Sequence, residues 1–229
     1  MIEFDGKPFD LLWKRPIKYL DEPNLRGSGF SAVARVSAAD WPEFGSGEDM
    51  YIKKQADFYC RPSWNSFRAT PTFRREVLFL QRARQAGVNT ARILGYGDIA
   101  DGRVMLILAA LPDVADLETQ LTAYPGARAS IISNVAETLV TLHRACISHG
   151  AVYPKHLLIG QAPDFKVTLI DFEKAREMPS AALAARGDLL RFVRRAQFLT
   201  ADDKQIIRDA YLGARFFAMR TLLPAPLRR

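Results

Sequence analysis

Apolar and polar positions change period near the middle of the chain. From Asp49 to Gln55, DMYIKKQ alternates as a strand does, placing Tyr51 and Lys53 on one face and Ile52 and Lys54 on the other. Before it, LRGSGFSAVARV (25–36) reads as strand, glycine turn and strand, and residues 37–48 as a loop. Arg92–Tyr96 and Val104–Ala110 predict two further strands around the Asp101-Gly102 turn. One helix interrupts the strands over 72–86, with Phe73, Val77, Leu80 and Arg84 on one stripe. Thr70 reads as its cap, Pro71 as its first residue and Gly87 as its stop. Residues 1–23 predict an irregular or short-strand lead-in anchored by Phe4, Phe9, Leu11, Leu12 and Trp13, and RPSWNSFRATP (61–71) a polar turn-rich segment.

At LPDVADLE (111–118) an apolar strand gives way to an acidic, proline-containing connector, which predicts domains over 1–112 and 113–229. The second is mainly helical. Helices are expected over about 115–123 and 128–146, the latter carrying Ile131, Val135, Leu139 and Leu142 on one face. Then come a polar loop opening with His149-Gly150, a short apolar run Leu157–Ile159, and a second run, Val167–Ile170, that ends on Asp171. Another helix is expected from about Asp188, and a last one capped by Thr200 with Asp202 and Asp203 in its first turn, before a basic tail.

With 229 residues, 48% of them hydrophobic, the chain can bury a sizeable core. Lys and Arg exceed Asp and Glu by 32 to 25. That balance suits an anionic partner: a nucleotide, a phosphorylated glycan or an anionic membrane surface. The basic residues are scattered, with no tract of the kind that tracks nucleic acid, so no nucleic-acid partner is expected. Two cysteines, Cys60 and Cys146, make neither a disulfide framework nor a zinc site. The N-terminus lacks the apolar core of a secretory signal, and the longest apolar run is too short to span a bilayer, which points to a cytoplasmic protein, with peripheral attachment to the inner face of the membrane left open.

Five features stand in an order that suits phosphoryl transfer: Gly27 and Gly29, Lys53, Glu76, the loop at 149–156, and Asp171. The reaction needs a backbone cradle and a cation for phosphates, a carboxylate for a metal, and a group to orient the acceptor hydroxyl. Glu76 borders the apolar stripe of its helix and wants a cation; Lys53 is the candidate. Each feature also has a plainer reading. The glycines make an ordinary hairpin turn, the lysines are solvated, and His149 and His156 brace their loop through backbone carbonyls.

The segments HGAVYPKHLLIG (149–160) and LIDFEKAR (169–176), supported by YIKKQ (51–55), PTFRREVLFL (71–80) and the glycine segment RGSGFSAV, resemble the lipopolysaccharide-core sugar kinases that phosphorylate heptose and 3-deoxy-manno-octulosonate. Within that family the likeness is to the InaA-like branch. The resemblance covers roughly residues 22–200. It implies an α+β, two-lobed protein-kinase-like fold: a small β-rich N-lobe with one helix and a compact helical C-lobe. It also implies ATP and Mg²⁺ as cofactors. By resemblance, Lys53 pairs the nucleotide phosphates and is oriented by Glu76. Gly27, Gly29 and Ser31 belong to the glycine loop, with Ser31 where the third glycine usually falls. Asp171 is the metal-binding aspartate, followed by Phe172 and by Glu173 in place of glycine. His156 takes the place of a metal-binding asparagine, and Asp188, read as opening a helix, tethers the catalytic loop. Apart from the resemblance, Lys155 is read as a point charge able to hold a phosphate.

The chain departs from the pattern where His-Arg-Asp is expected and His149-Gly150-Ala151 stands. An alanine cannot take the acceptor's proton. Two functions follow: an ATP-dependent kinase acting on a lipopolysaccharide-core sugar or related small molecule, with His149, Lys155 or Glu173 as stand-ins for the missing base, or a nucleotide-binding pseudokinase with a regulatory or envelope/acid-stress role.

Overall fold

A computed structural model describes residues 1–45, 47–60, 69–214 and 227. Contacts divide the chain into two units, Met1–Leu78 with Ala91–Pro112, and Phe79–Thr90 with the chain from Asp113 onward. Most of the turn-rich segment before residue 69 and nearly all of the basic tail lie outside the described residues.

In the first unit, strands β1 (Ile2–Glu3), β2 (Asn24–Arg26), β3 (Gly29–Val36), β4 (Met50–Ala56), β7 (Ile93–Asp98) and β8 (Arg103–Ala109) form one sheet in the order β1-β7-β8-β4-β3-β2. Neighbours run antiparallel except β1, which lies parallel to β7. Strands β5 (Tyr59–Cys60) and β6 (Thr70–Pro71) pair separately. Alternation on β4 sends Met50 and Ile52 into an apolar cluster with Phe4, Phe9, Leu12, Trp41, Phe44, Leu94, Met105 and Ile107. Burying each such large side chain is worth about 1.5–3 kcal/mol.

The lead-in corrects the sequence reading. It contains a helix, α1 (Gly6–Lys14), which buries Phe9 and Leu12 and leaves Leu11 64% exposed, so Leu11 is not an anchor. Asp5-Gly6-Lys7-Pro8 looks like a turn, and a nine-residue helix is stabilised by packing more than by propensity. The segment 37–48 holds two 3₁₀ turns, Ala38–Asp40 and Pro42–Phe44, which set Trp41 and Phe44 into the core. Thr70 and Pro71 form β6 instead of a helix start; α2 runs Thr72–Gln85.

In the second unit, α3 (Leu117–Ala123) is capped by Asp116, whose carboxylate accepts from the Thr119 N–H. Helix α4 (Arg128–Arg144) buries the predicted stripe of Ile131, Val135, Leu139 and Leu142. Strands β9 (Ala115–Asp116), β11 (Leu157–Ile159) and β12 (Val167–Leu169) lie in the order β12-β11-β9, while β10 (Ile147–Ser148) pairs with β13 (Arg176–Glu177). Helix α5 spans Ala181–Arg195 with Ser180 as its cap, so Asp188 sits in mid-helix and does not open it. Gly187 makes ALAARG look like a link, but its alanines are strong helix formers. Helix α6 (Ala201–Gly213) carries a capping box of Thr200 and Asp203, and Arg128 ties α4 to it through both Asp203 oxygens at 3.0 and 3.1 Å.

Candidate functional site

In the first unit the β2–β3 register pairs Arg26 with Gly29 and leaves Gly27-Ser28 as a two-residue turn. Gly27 has φ +61, a left-handed conformation that glycine adopts without steric cost. A side chain at Gly29 would come within 2.9 Å of the Asp57 carbonyl oxygen. Ser31 pairs with Gln55 across β3 and β4. Lys53 Nζ lies 2.6 and 2.8 Å from the two carboxylate oxygens of Glu76 on α2. The Glu76 side chain is fully buried, and that of Lys53 is 13% exposed. Lys53 Nζ also sits 5.3 Å over the Phe73 ring. The pair is thus a buried carboxylate aiming an ammonium on a side chain that is not fully buried, a geometry suited to holding an anion.

In the second unit the β11–β12 hairpin sets the loop chemistry. Leu157 opposes Leu169, and the Ile170 N–H donates to the His156 carbonyl at 3.1 Å, so His156 and Asp171 emerge side by side. Asp171 occupies the left-handed region (φ 68, ψ 62), rare for a non-glycine residue and found where function or local bonding holds it. His156 Nδ1–H donates to the Ala151 carbonyl at 2.9 Å, while its Nε2 lies 3.2 Å from Asp171 Oδ2. Lys155 is exposed on the 3₁₀ turn Pro154–His156.

His149 is fully buried and engaged at both ring nitrogens. Its Nε2–H donates to the Ile170 carbonyl at 3.0 Å, and Nδ1 accepts the Ala151 N–H at 3.3 Å. Burial pushes its pKa down; the charges of Asp188 and Asp171 only partly offset this. A neutral ring with no spare lone pair braces the loop instead of reaching a substrate, and it packs against Phe172, the ring centroids 4.6 Å apart and the planes tilted by 56°. Ala151 is buried. Asp188 accepts the His149 N–H (2.6 Å), the Gly150 N–H (3.0 Å) and the Ser148 hydroxyl (3.1 Å). Burial raises the Asp188 carboxyl, but the hydrogen bond from His143 and that from the His149 N–H outweigh it and hold the pKa low. Ser148, His143 and its partner Tyr211 are members of this network that sequence reasoning did not single out. His143 follows the buried stripe of α4, and nothing in a periodic pattern separates a buried histidine with a task from one that packs.

A divalent cation fits this donor set. Two ligands about 2.1 Å from one ion and at right angles stand roughly 3 Å apart, close to the spacing of His156 Nε2 and Asp171 Oδ2. With Nδ1–H committed to Ala151, Nε2 is the ring nitrogen left to ligate. No group of three or more His, Cys, Asp or Glu capable of holding a metal occurs among the described residues. Remaining positions would fall to phosphate and water oxygens, as is usual for Mg²⁺.

A sheet-rich unit with a lysine–glutamate pair and a helical unit with a strand-end aspartate define the protein-kinase-like fold. A solved structure described as WaaP in complex with acyl carrier protein shares that fold, with a TM-score of 0.65 and 20% sequence identity over 94% of this chain and 90% of that one. The profile of the Lipopolysaccharide kinase (Kdo/WaaP) family matches residues 10–211, and the chain belongs to that family. No curated protein matches its sequence. No helix among the described residues is long and apolar enough to cross a membrane.

Proposed function

We propose that this lipopolysaccharide kinase family member phosphorylates a hydroxyl of a lipopolysaccharide-core sugar or a related small molecule. ATP, bound with Mg²⁺, supplies the phosphoryl group. Lys53 offers its ammonium to the nucleotide phosphates and Glu76 fixes its direction. The Gly27-Ser28 turn offers backbone N–H groups, with Gly29 and Ser31 on the following strand. Asp171, with His156, holds the cation, and Lys155 gives the acceptor side a mobile positive charge. The observation that carries this reading is the two-pronged Lys53–Glu76 contact at 2.6 and 2.8 Å. Because the transition state is loose, positioning and electrostatics carry much of the rate without a strong base.

A second reading, a nucleotide-binding pseudokinase with a regulatory or envelope/acid-stress role, is favoured by one observation. Ala151 is buried, and the adjacent His149 is neutral with both nitrogens occupied. The two readings separate on incubation with Mg-ATP and a lipopolysaccharide-core oligosaccharide. The kinase reading expects phosphorylated product, lowered about 100-fold or more in Asp171→Ala. Mg-dependent ATP binding without product selects the pseudokinase. Absence of nucleotide binding overturns both.

A further inference from the structure

We propose that Tyr211, in the last turn of α6, is a positioning residue for the loop at 148–150, acting through His143 and Asp188. The three side chains are fully buried and belong to α6, α4 and α5. The Tyr211 hydroxyl lies 2.6 Å from His143 Nδ1. The other ring nitrogen of His143, Nε2, lies 3.2 Å from Asp188 Oδ2. That same oxygen takes the His149 N–H at 2.6 Å. Its twin, Oδ1, takes the Gly150 N–H at 3.0 Å, the Ser148 hydroxyl at 3.1 Å and Arg191 Nη1 at 3.3 Å.

The physical argument is one of aim. Asp188 has several donors, but its orientation fixes two backbone N–H groups at once, those of the residues leading into Ala151. Gly150 sits at φ +75 with the Lys174 carbonyl against its backbone, so the loop has little room to adjust if the carboxylate turns. His143 is held at opposite ring nitrogens. Removing the Tyr211 hydroxyl leaves the ring tethered on one side only, free to swing away from Oδ2. Burial holds the Tyr211 pKa well above the ordinary value, so the hydroxyl keeps its proton throughout the working range.

The effect on rate rests on the phosphotransferase reading; the effect on the loop does not. The test is hydrogen exchange of individual amides in Tyr211→Phe, which keeps the ring and its packing. Exchange at His149 and Gly150 is expected to quicken about fivefold, the equivalent of one ordinary hydrogen bond. Amides of Val135 and Leu139 inside α4 should be unchanged. Where the wild type turns over, kcat should fall by a similar factor while KM for nucleotide stays. Unchanged exchange at His149 and Gly150, or uniform quickening over α4, α5 and α6, overturns the proposal and leaves Tyr211 as packing. A wild type without turnover whose loop amides still respond sinks the kinase reading and keeps the positioning role. If Tyr211→Phe cannot be purified folded, His143→Gln cuts the same chain one link nearer and must give the same local signature.

Discussion

Lys53 and Lys54 are neighbours on one strand, yet the two faces of β4 treat them in opposite ways. Lys53, on the face of Tyr51 and Gln55, meets a buried carboxylate, Glu76, at 2.6 Å. Lys54 shares its face with Met50 and Ile52, is 3% exposed, and donates to the Trp13 carbonyl at 2.6 Å and the Arg15 carbonyl at 3.3 Å. Those carbonyls close α1, and a helix C-terminus carries only a partial negative charge. Burial, and then the nearby Arg15 charge, lower the Lys54 pKa to about 8. The same side chain is thus a directed charge on one face and a clamp between helix and sheet on the other. What separates them is the partner: a full carboxylate, or carbonyl dipoles alone.

The largest expected effect comes from removing the directed charge. Lys53→Met takes the ammonium from a fully buried carboxylate, and breaking a buried pair in this way costs about 3–5 kcal/mol. Glu76→Gln should cost less, because the Lys53 side chain, 13% exposed, is less deeply buried than the Glu76 carboxylate. Urea denaturation at pH 7 measures both. Equal losses would show that Glu76 is not the member trapped by burial, and the contrast between the two faces would weaken.

The sequence carried this contrast only in part. Strict alternation over 49–55 put Lys53 and Lys54 on opposite faces, and Glu76 beside an apolar stripe asked for a cation. The β2–β3 hairpin, α4 and the Asp171 strand end were legible for the same reason: local period and turn chemistry dominate there. The fate of Lys54 was not. Its solvated reading fails because α1 covers it, and α1 is a short helix whose reason to exist lies in Phe9 and Leu12 meeting residues far along the chain. Asp188 was singled out through family likeness, but its mid-helix place was hidden by Gly187. The ring of partners around it joins α4, α5 and α6, which no linear pattern brings together. Segments whose stability comes from distant contacts stay unreadable in a local window.

The next effect is a pH dependence from Lys54. Its folded pKa of about 8 lies below the ordinary 10.5, so between those values the unfolded chain binds more protons and stability rises with pH. The contribution is fully present above 10.5 and is lost as pH falls through about 8. A shift of this size corresponds to roughly 3 kcal/mol. Lys54→Met removes that slope. At pH 7 the variant loses hydrogen bonds to two carbonyls but escapes the cost of a buried charge, so its stability should lie close to wild type or above it. By pH 10 the wild type should have gained on it. Denaturation midpoints at pH 7, 8, 9 and 10 decide the matter, and parallel curves would mean that Lys54 is not held as described.

The smallest effect isolates how Lys54 is perturbed. Arg15 pairs with Glu43 at 2.8 Å, with both side chains 36% exposed, and its guanidinium lies 4.2 Å over the Trp41 ring. An exposed pair of this kind is worth about 0–1 kcal/mol and a cation–π contact at an exposed site about 0.5–1 kcal/mol, so Arg15→Ala should cost no more than about 2 kcal/mol at pH 7. It should nonetheless move the Lys54 pKa upward, because the Arg15 charge is the second cause of its depression. The Trp13 carbonyl stays in place and burial persists, so the value remains below that of an ordinary lysine. NMR titration of the Lys54 ε-methylene reads the shift directly. No movement would assign the whole depression to burial, making the Lys54 face a matter of desolvation alone; a return to the ordinary lysine value would make Arg15 the cause and leave the covering by α1 without consequence for charge.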